Sequence, residues 1–211
     1  MNNLFLRFFS SLIIAPLFIY FIYTNNFLLI LLLVIILILA IYELKFLIHK
    51  NIYFFFSILF IVILFIYSLF ELRGNDTKNF YYLLWLILLV WLTDIGGYAI
   101  GKIFGRKKLS KWSPNKTIAG VFGSILFSQL SIFIVNIFFY LVPYSLRIFI
   151  FQLAFCIIAI FGDLFFSFIK RKYFIKDYSS IIPGHGGVLD RIDGLIFVII
   201  IFYLLNRNYV L

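Results

Sequence analysis

The sequence predicts an all-α, polytopic integral membrane protein. Of its 211 residues, 65% are hydrophobic and 12% are charged, and the mean hydropathy is +1.14. Soluble globular domains carry about 25% charged residues, so this composition excludes that class. A chain of this length also has room for about seven membrane spans of roughly 20 residues each, together with their loops.

Seven apolar runs follow one another along the chain and are the predicted membrane helices: Phe8–Tyr23, Phe27–Tyr42, Ile52–Phe70, Phe80–Ile100, Ile118–Val142, Ile148–Ile169 and Leu195–Leu205. The first run lacks a small-x-small cleavage site and another span follows at once, so we expect a retained anchor rather than a signal peptide. Asn25-Asn26 and Pro143 mark outer turns. The last run is short for a full crossing, and up to nine shorter helices fit the same pattern.

The Lys and Arg residues predict the orientation. With a cytoplasmic N-terminus and seven alternating spans, fourteen of the eighteen fall on the cytoplasmic side. The positive-inside rule therefore favours this topology, and most of the net charge of +10 faces the cytoplasm and its anionic lipids. No aromatic-basic platform accompanies the charge, so nucleic acid is not an expected partner. The single Cys156 excludes a disulfide framework.

A first polar segment, Asp94 to Gly123, is richer than topology requires. Asp94 lies at the inner end of an apolar helix, where a carboxylate needs a partner or a function. Gly97, Gly101 and Gly105 recur every four residues, which favours close helix packing. The run Ser113-Pro-Asn-Lys-Thr117 allows two interpretations. It is either a helix start with Ser113 as the N-cap, or a phosphate site built from backbone N–H groups, a hydroxyl and Lys116.

A second polar segment reads SFIKRKYFIKDYSSIIPGHGGVLDRID, from Ser167 to Asp193. If the helix includes Asp163, then Ser167, Lys170 and Arg171 share its face, and such a stripe faces a cavity rather than lipid. The sequence from Pro183 to Gly187 predicts a loop that allows close backbone approach. Three charged residues begin the last helix, where carboxylates also stabilise the helix N-terminus by about 0.3–1 kcal/mol; they are Asp190, Arg191 and Asp193.

These residue types favour metal-assisted phosphoryl or nucleotidyl transfer at the cytoplasmic surface. Two His and one Cys make a zinc site unfavourable, and no glycine-flanked serine nucleophile is present. Carboxylates suit Mg²⁺, which takes one or two of them together with substrate phosphate oxygens. Cations and glycine backbone suit the phosphates. A small transporter or channel, whose charges would line a pathway, is an alternative from another class.

The pattern S-x-x-K-R-x4-K-D-x5-P-G-H-G-G-x2-D-R-x-D closely resembles the signature of the phosphatidate cytidylyltransferases, or CDP-diacylglycerol synthases. It is carried by Ser167, Lys170, Arg171, Lys176, Asp177, Pro183, Gly184, His185, Gly186, Gly187, Asp190, Arg191 and Asp193. Upstream matches extend the resemblance over residues 94–194; they are Asp94, Gly97, Tyr98, Gly101, Ser113–Thr117 and Gly162-Asp163-Leu164. Two positions depart from the family pattern, with Phe165-Phe166 in place of Thr-Glu and Ile118-Ala119 in place of Trp-Glu.

The resemblance implies that CTP and phosphatidic acid react to give CDP-diacylglycerol and pyrophosphate. A CTP-dependent lipid kinase is the alternative within the enzymes. The implied catalytic residues are Asp163, Ser167, Lys170, Arg171, His185, Asp190, Arg191 and Asp193. The implied substrate-binding residues are Asp94, Ser113, Lys116, Thr117, Gly184, Gly186 and Gly187. Asp163 and Asp190 are the implied Mg²⁺ ligands, and a second cation is left open.

The same resemblance predicts the organisation and setting of the chain. Residues 1–79 form N-terminal membrane helices, and residues 80–211 form the catalytic region with cytoplasmic loops 102–117 and 170–193. The expected location is the inner membrane of a bacterial cell, with the active site facing the cytoplasm. The expected partners are CTP, phosphatidic acid and the lipid bilayer, and a homodimer is left open.

Overall fold

The computed structural model describes residues 3–24, 27–139, 144–182 and 186–208. Eight helices run through these residues: α1 Asn3–Thr24, α2 Phe27–Leu44, α3 Phe46–Lys50, α4 Ile52–Arg73, α5 Thr77–Phe104, α6 Ile118–Phe139, α7 Leu146–Lys172 and α8 Leu189–Asn208. Each of the seven predicted apolar runs lies within one long helix over its described residues. The all-α prediction is therefore confirmed.

The helices have the lengths and surfaces expected in a bilayer. Within the described residues, five helical stretches are long and apolar enough to cross a membrane: 27–50, 52–73, 77–104, 118–139 and 146–172. Large apolar side chains such as Phe27, Phe60 and Phe138 are exposed on the helix surfaces. A soluble protein rarely exposes so much apolar surface. These features confirm a polytopic membrane protein.

The helices form two compact units. The first unit comprises Met1–Asp76 and Phe174–Leu211, and the second comprises Thr77–Tyr173. The C-terminal segment belongs to the first unit because α8 packs against α4. The predicted boundary between residues 79 and 80 separates N-terminal membrane helices from a catalytic region, whereas these two units are defined by packing. That boundary therefore stays a prediction.

In the first unit, a buried arginine joins the ends of α1 and α4. Arg73 is almost completely buried. Its Nε donates a hydrogen bond to the carbonyl of Ile22 at 2.7 Å, and its Nη2 donates to the carbonyl of Tyr23 at 2.8 Å. Its Nη1 donates to the carbonyls of Gly74 and Asp76. The planar guanidinium thus donates hydrogen bonds to four carbonyl groups at two helix ends.

In the second unit, glycines bring α5 and α6 close together. A Cβ atom added to Gly120 would lie 2.8 Å from the carbonyl oxygen of Gly97, and one added to Gly101 would lie 3.4 Å from the Cα of Gly120. Small residues at such crossings let two membrane helices pack backbone against backbone. The close packing predicted from the glycine spacing is confirmed.

Buried polar side chains join the three helices of the second unit. Ser124 on α6 donates a hydrogen bond of 2.7 Å to the carbonyl of Thr93 on α5. Gln152 on α7 donates to the carbonyl of Ser128 at 3.1 Å and to the hydroxyl of Ser131. Such interhelical bonds stabilise membrane bundles by about 0.6 kcal/mol each on average. They fix α7, which carries four of the predicted site residues toward its C-terminal end: Asp163, Ser167, Lys170 and Arg171.

The glycine contact predicts a clear effect of side-chain volume. A Cβ atom at Gly123 on α6 would lie 2.5 Å from the Cβ of Ile100 on α5. We expect Gly123→Val to lower the free energy of unfolding by about 1–3 kcal/mol, because the helices must separate to admit the side chain. Thermal unfolding in detergent micelles measures this effect. Phe122→Val, at a neighbouring position that is 65% exposed, is the matched control. Equal unfolding midpoints for the two variants would contradict the packing.

Candidate active site

The second unit brings together Lys116, Asp163 and Ser167. Lys116 lies just before α6, and the other two residues lie one turn apart on α7. The Lys116 ammonium forms an ion pair with Oδ2 of Asp163, and the Ser167 hydroxyl donates a 3.2 Å hydrogen bond to Oδ1. The side chains of Lys116 and Asp163 are 26% and 24% exposed, so a ligand can reach the pair. Asp163 and Ser167 therefore contact each other as their helical spacing predicts, whereas a common polar face that also includes Lys170 and Arg171 stays a prediction.

Backbone pairing closes the segment between α5 and α6. The N–H of Leu109 donates to the carbonyl of Lys116 at 2.8 Å, and the N–H of Ile118 donates to the carbonyl of Lys107 at 3.0 Å. The N–H of Lys116 donates to the carbonyl of Ser113 at 3.1 Å, which makes a turn of residues 113–116. This backbone pairing fixes Lys116 two residues before Ile118, where α6 begins.

The helix-start interpretation of Ser113 was wrong. Helix α6 begins at Ile118, and the hydroxyl of Thr117 accepts a 3.0 Å hydrogen bond from the N–H of Gly120. Thr117 is therefore the N-cap, because residues 113–116 are occupied by the turn. The alternative role of Ser113, Lys116 and Thr117 in binding phosphate stays a prediction.

An aromatic pair fastens this segment to α7. The rings of Trp112 and Phe168 meet edge to face with centroids 4.9 Å apart. The ammonium of Lys111 lies 4.8 Å from the centroid of the Trp112 ring. Phe168 directly follows Ser167 in the chain. The aromatic contact therefore holds the turn of residues 113–116 near the end of α7 that carries the polar stripe.

The other predicted residues of the second unit lie in different environments. Lys170 is buried, whereas Arg171 on the same last turn of α7 is exposed. Cations in the last turn are favourable because the carbonyl end of a helix is partially negative. Asp94 lies on α5 and is exposed.

The first unit holds the remaining predicted carboxylates at the start of α8. Oδ2 of Asp190 accepts hydrogen bonds of 2.9 Å from the N–H groups of both Tyr178 and Gly187. Asp193 is buried and accepts a 2.8 Å bond from the N–H of Gly194, and Arg191 is exposed. Asp190 thus ties Tyr178, which precedes the glycine loop, to Gly187, the last residue of the loop.

Paired backbone groups close the glycine loop. The N–H of Ile182 donates to the carbonyl of Gly186 at 2.9 Å, and the N–H of Gly186 returns a bond of 3.2 Å. Gly186 has φ = +85°, a conformation that favours glycine. Gly184 and His185, which the sequence analysis assigned to substrate binding and catalysis, lie outside the described residues.

Glu43 is a residue of this region that the sequence analysis missed. It lies on α2 and is only 2% exposed. Its carboxylate accepts hydrogen bonds from the Ser179 hydroxyl at 2.8 Å and from the N–H groups of Val188 and Leu189 at 2.7 and 2.9 Å. A carboxylate within an apolar membrane helix signals a partner or a function. A single glutamate at the end of an apolar run could therefore have been noticed in the sequence, although the sequence does not show which groups it contacts.

Tyr178 lies among the same carboxylates. Its side chain is buried, and its ring lies 6.3 Å from that of Phe46. Burial raises the pKa of the Tyr178 phenol, and the negative charges of Asp190, Asp193 and Glu43 raise it further. The phenol therefore stays protonated and neutral near pH 7.

Comparison with known proteins identifies the family of the chain. A family model described as the cytidylyltransferase family matches residues 45–208, a stretch that includes every predicted site residue. The chain belongs to the cytidylyltransferase family. Two similar relatives are phosphatidate cytidylyltransferases. The one from Staphylococcus haemolyticus is 46% identical over 118 residues, which cover 53% of this chain and 44% of the relative. The one from Helicobacter pylori (strain 26695) is 40% identical over 119 residues, covering 54% and 42%. The chain thus spans less than half the length of these relatives.

This cytidylyltransferase-family protein offers carboxylate oxygens, the donor type that Mg²⁺ prefers. Among the residues the structure describes, no three His, Cys, Asp or Glu side chains form a metal-binding group. Mg²⁺ takes one or two protein carboxylates and completes its coordination with phosphate oxygens and water, whereas structural zinc takes four protein ligands. Asp163 in the second unit and Asp190 in the first are carboxylates of the kind that Mg²⁺ requires.

The raised pKa of Tyr178 predicts a change in stability at alkaline pH. In the unfolded chain a tyrosine ionises near pH 10, whereas the folded protein keeps Tyr178 neutral beyond that pH. Raising the pH above 10 therefore favours unfolding. Between pH 8 and pH 11, the free energy of unfolding of the wild type should fall by about 1 kcal/mol more than that of Tyr178→Phe.

Thermal unfolding of both proteins at pH 8 to 11 checks this expectation. Tyr53→Phe removes an exposed phenol from α4 and is the matched control. A stability difference between wild type and Tyr178→Phe that does not change with pH would contradict the environment described for Tyr178.

Proposed function

We propose that the protein is a phosphatidate cytidylyltransferase. A phosphate oxygen of phosphatidic acid attacks the α-phosphorus of CTP, the bond between the α-phosphorus and the bridging oxygen breaks, and pyrophosphate leaves. The observation that carries the proposal is that the two polar clusters, one around Asp163 and one around Asp190, both lie in the part of the chain that matches the cytidylyltransferase family. The names of the similar relatives support the same reaction.

The main obstacle to this reaction is repulsion between two anions. The second pKa of a phosphate monoester is about 6, so the lipid phosphate is already largely ionised near neutral pH. A dedicated general base is therefore unnecessary. The protein has to align the two substrates and neutralise their charges, as in other phosphoryl transfers.

In the second unit, Asp163 is the proposed Mg²⁺ ligand. The hydrogen bond from Ser167 fixes the orientation of its carboxylate. Lys116, which pairs with Asp163, would neutralise a phosphate oxygen. Lys170 and Arg171, seven and eight residues after Asp163 on α7, would add positive charge for the phosphates.

In the first unit, Asp190 is the other proposed Mg²⁺ ligand, with Asp193 beside it on α8. Bound Mg²⁺ would neutralise phosphate oxygens and make the α-phosphorus more electrophilic. Arg191 would contact a phosphate, and the backbone of Gly186 and Gly187 would approach the pyrophosphate closely. The proposed setting is the inner membrane of a bacterium with the site on the cytoplasmic side, in agreement with the distribution of Lys and Arg.

The reaction is tested with purified protein in mixed micelles. Pyrophosphate release from CTP should require both phosphatidic acid and Mg²⁺, and CDP-diacylglycerol should accumulate in equal amount. EDTA should abolish the activity because the phosphate charges are then not neutralised. A lipid kinase would instead release CDP in the presence of a lipid alcohol, and a transporter would consume no CTP. Absence of CTP consumption with both phosphatidic acid and Mg²⁺ present would refute the proposal.

The two aspartates are tested separately. We expect Asp163→Asn and Asp190→Asn each to lower turnover by about 100-fold or more, because each amide loses the negative charge that binds a cation at the reacting phosphates. Steady-state pyrophosphate release measures the loss. Asp76→Asn, a change at an exposed residue after α4, is the matched control. Turnover near the wild-type rate in either site variant would remove that residue from the metal site.

A further inference from the structure

The first N–H groups of α8 are satisfied by a side chain from a distant helix. The opening N–H groups of any helix have no acceptor within that helix. Oε1 of Glu43, on α2, accepts from the N–H of Val188 at 2.7 Å, and Oε2 accepts from the N–H of Leu189 at 2.9 Å. Glu43 lies 145 residues before Val188 in the chain. It therefore acts as the N-terminal cap of α8 from another element of the same unit.

The same carboxylate also contacts both sides of the glycine loop. Oε1 of Glu43 accepts a 2.8 Å hydrogen bond from the Ser179 hydroxyl, ahead of the loop. At Gly187, the last residue of the loop, an added Cβ atom would lie 2.7 Å from the Cδ of Glu43. Any side chain at position 187 would therefore overlap the Glu43 carboxylate.

We propose that Glu43 is a positioning residue that holds segment 186–190 in the geometry needed to bind the CTP phosphates. Asp190 follows directly after Leu189, whose N–H Glu43 holds, and Asp190 itself accepts from the N–H of Gly187. Two carboxylates therefore fix this segment. Glu43 precedes residues 45–208, which match the cytidylyltransferase family. The proposal rests on the proposed function for the reaction that the segment serves.

The role requires a carboxylate rather than merely a polar side chain. The two oxygens of Glu43 accept from three donors, namely one hydroxyl and two backbone N–H groups. Glutamine has nearly the same volume, but its NH₂ group donates and cannot accept. In Glu43→Gln, at least one backbone N–H of the α8 start would face another donor. This substitution therefore tests the hydrogen bonds with little change in packing.

Hydrogen exchange tests the positioning without reference to activity. With the full chain in detergent, we expect Glu43→Gln to speed amide exchange at Val188 and Leu189 by about ten-fold, because local opening becomes easier when these bonds are lost. Glu71→Gln makes the same chemical change at an exposed position on α4 of the same unit. It should leave exchange at these two amides unchanged. Wild-type exchange in Glu43→Gln would overturn the proposal.

Steady-state kinetics test the consequence for the reaction. Glu43→Gln should lower kcat by about ten-fold and raise the Mg²⁺ concentration needed for half-maximal rate, in protein that is still folded by its unfolding transition. Glu43→Asp, which keeps the charge, should recover part of both losses. A purely structural role would lower the rate only in proportion to the folded fraction and would leave the Mg²⁺ dependence unchanged. That result would overturn the proposal.

A double substitution keeps the test decisive if Glu43→Gln does not fold. Gly187→Ala should impair the wild type because the added methyl group would overlap the Glu43 carboxylate. In Glu43→Asp the side chain is shorter by one methylene group, so the carboxylate lies farther from position 187. Gly187→Ala should therefore lower kcat less in this background than in the wild type. Effects that simply add would contradict the contact. If the wild type itself releases no pyrophosphate, the proposed function fails, whereas the exchange experiment still tests the position of Glu43.

Discussion

A carboxylate in an apolar protein must be surrounded by donors, because its charge is otherwise too costly to remove from water. This constraint organises the polar regions of both units. In the first unit, Glu43 and Asp190 together accept four backbone N–H groups and one hydroxyl, and these bonds define the path of the chain around the glycine loop. In the second unit, Asp163 is satisfied by an ammonium group and a hydroxyl instead. The two arrangements differ in their donors, which are mainly backbone N–H groups in the first unit and side-chain groups in the second.

Packing of the helices brings donors that are distant in the sequence close to these carboxylates. Glycines allow α5 and α6 to pack closely, and the buried amide of Gln152 links α7 to α6. In the first unit, α8 packs against α4, and Arg73 secures the C-terminal end of α4 through hydrogen bonds to four carbonyls. The apolar surface is ordinary for a membrane protein. A small number of polar contacts therefore determines how the helices are arranged within each unit.

Much of this architecture could be predicted from the sequence because it depends on local patterns. The apolar runs gave the helices, and the spacing of Asp163 and Ser167 gave a contact that the structure contains. The cap of α6 was misplaced because Ser113 and Thr117 both precede the helix, and only the backbone turn decides between them. The partners of Glu43 could not be predicted, since Ser179 lies 136 residues away and the contact exists only after α2 has packed. Metal binding by Asp163 and Asp190 stays a prediction.

The hydroxyl of Thr117 illustrates how one atom can take two roles at a membrane surface. It accepts a hydrogen bond from the N–H of Gly120 and so completes the first turn of α6. A hydroxyl that accepts in this way retains its own proton for donation. Thr117 can therefore begin a helix and offer a donor to an anionic ligand at the same time. Valine has almost the same shape and could do neither, whereas serine would retain both capacities.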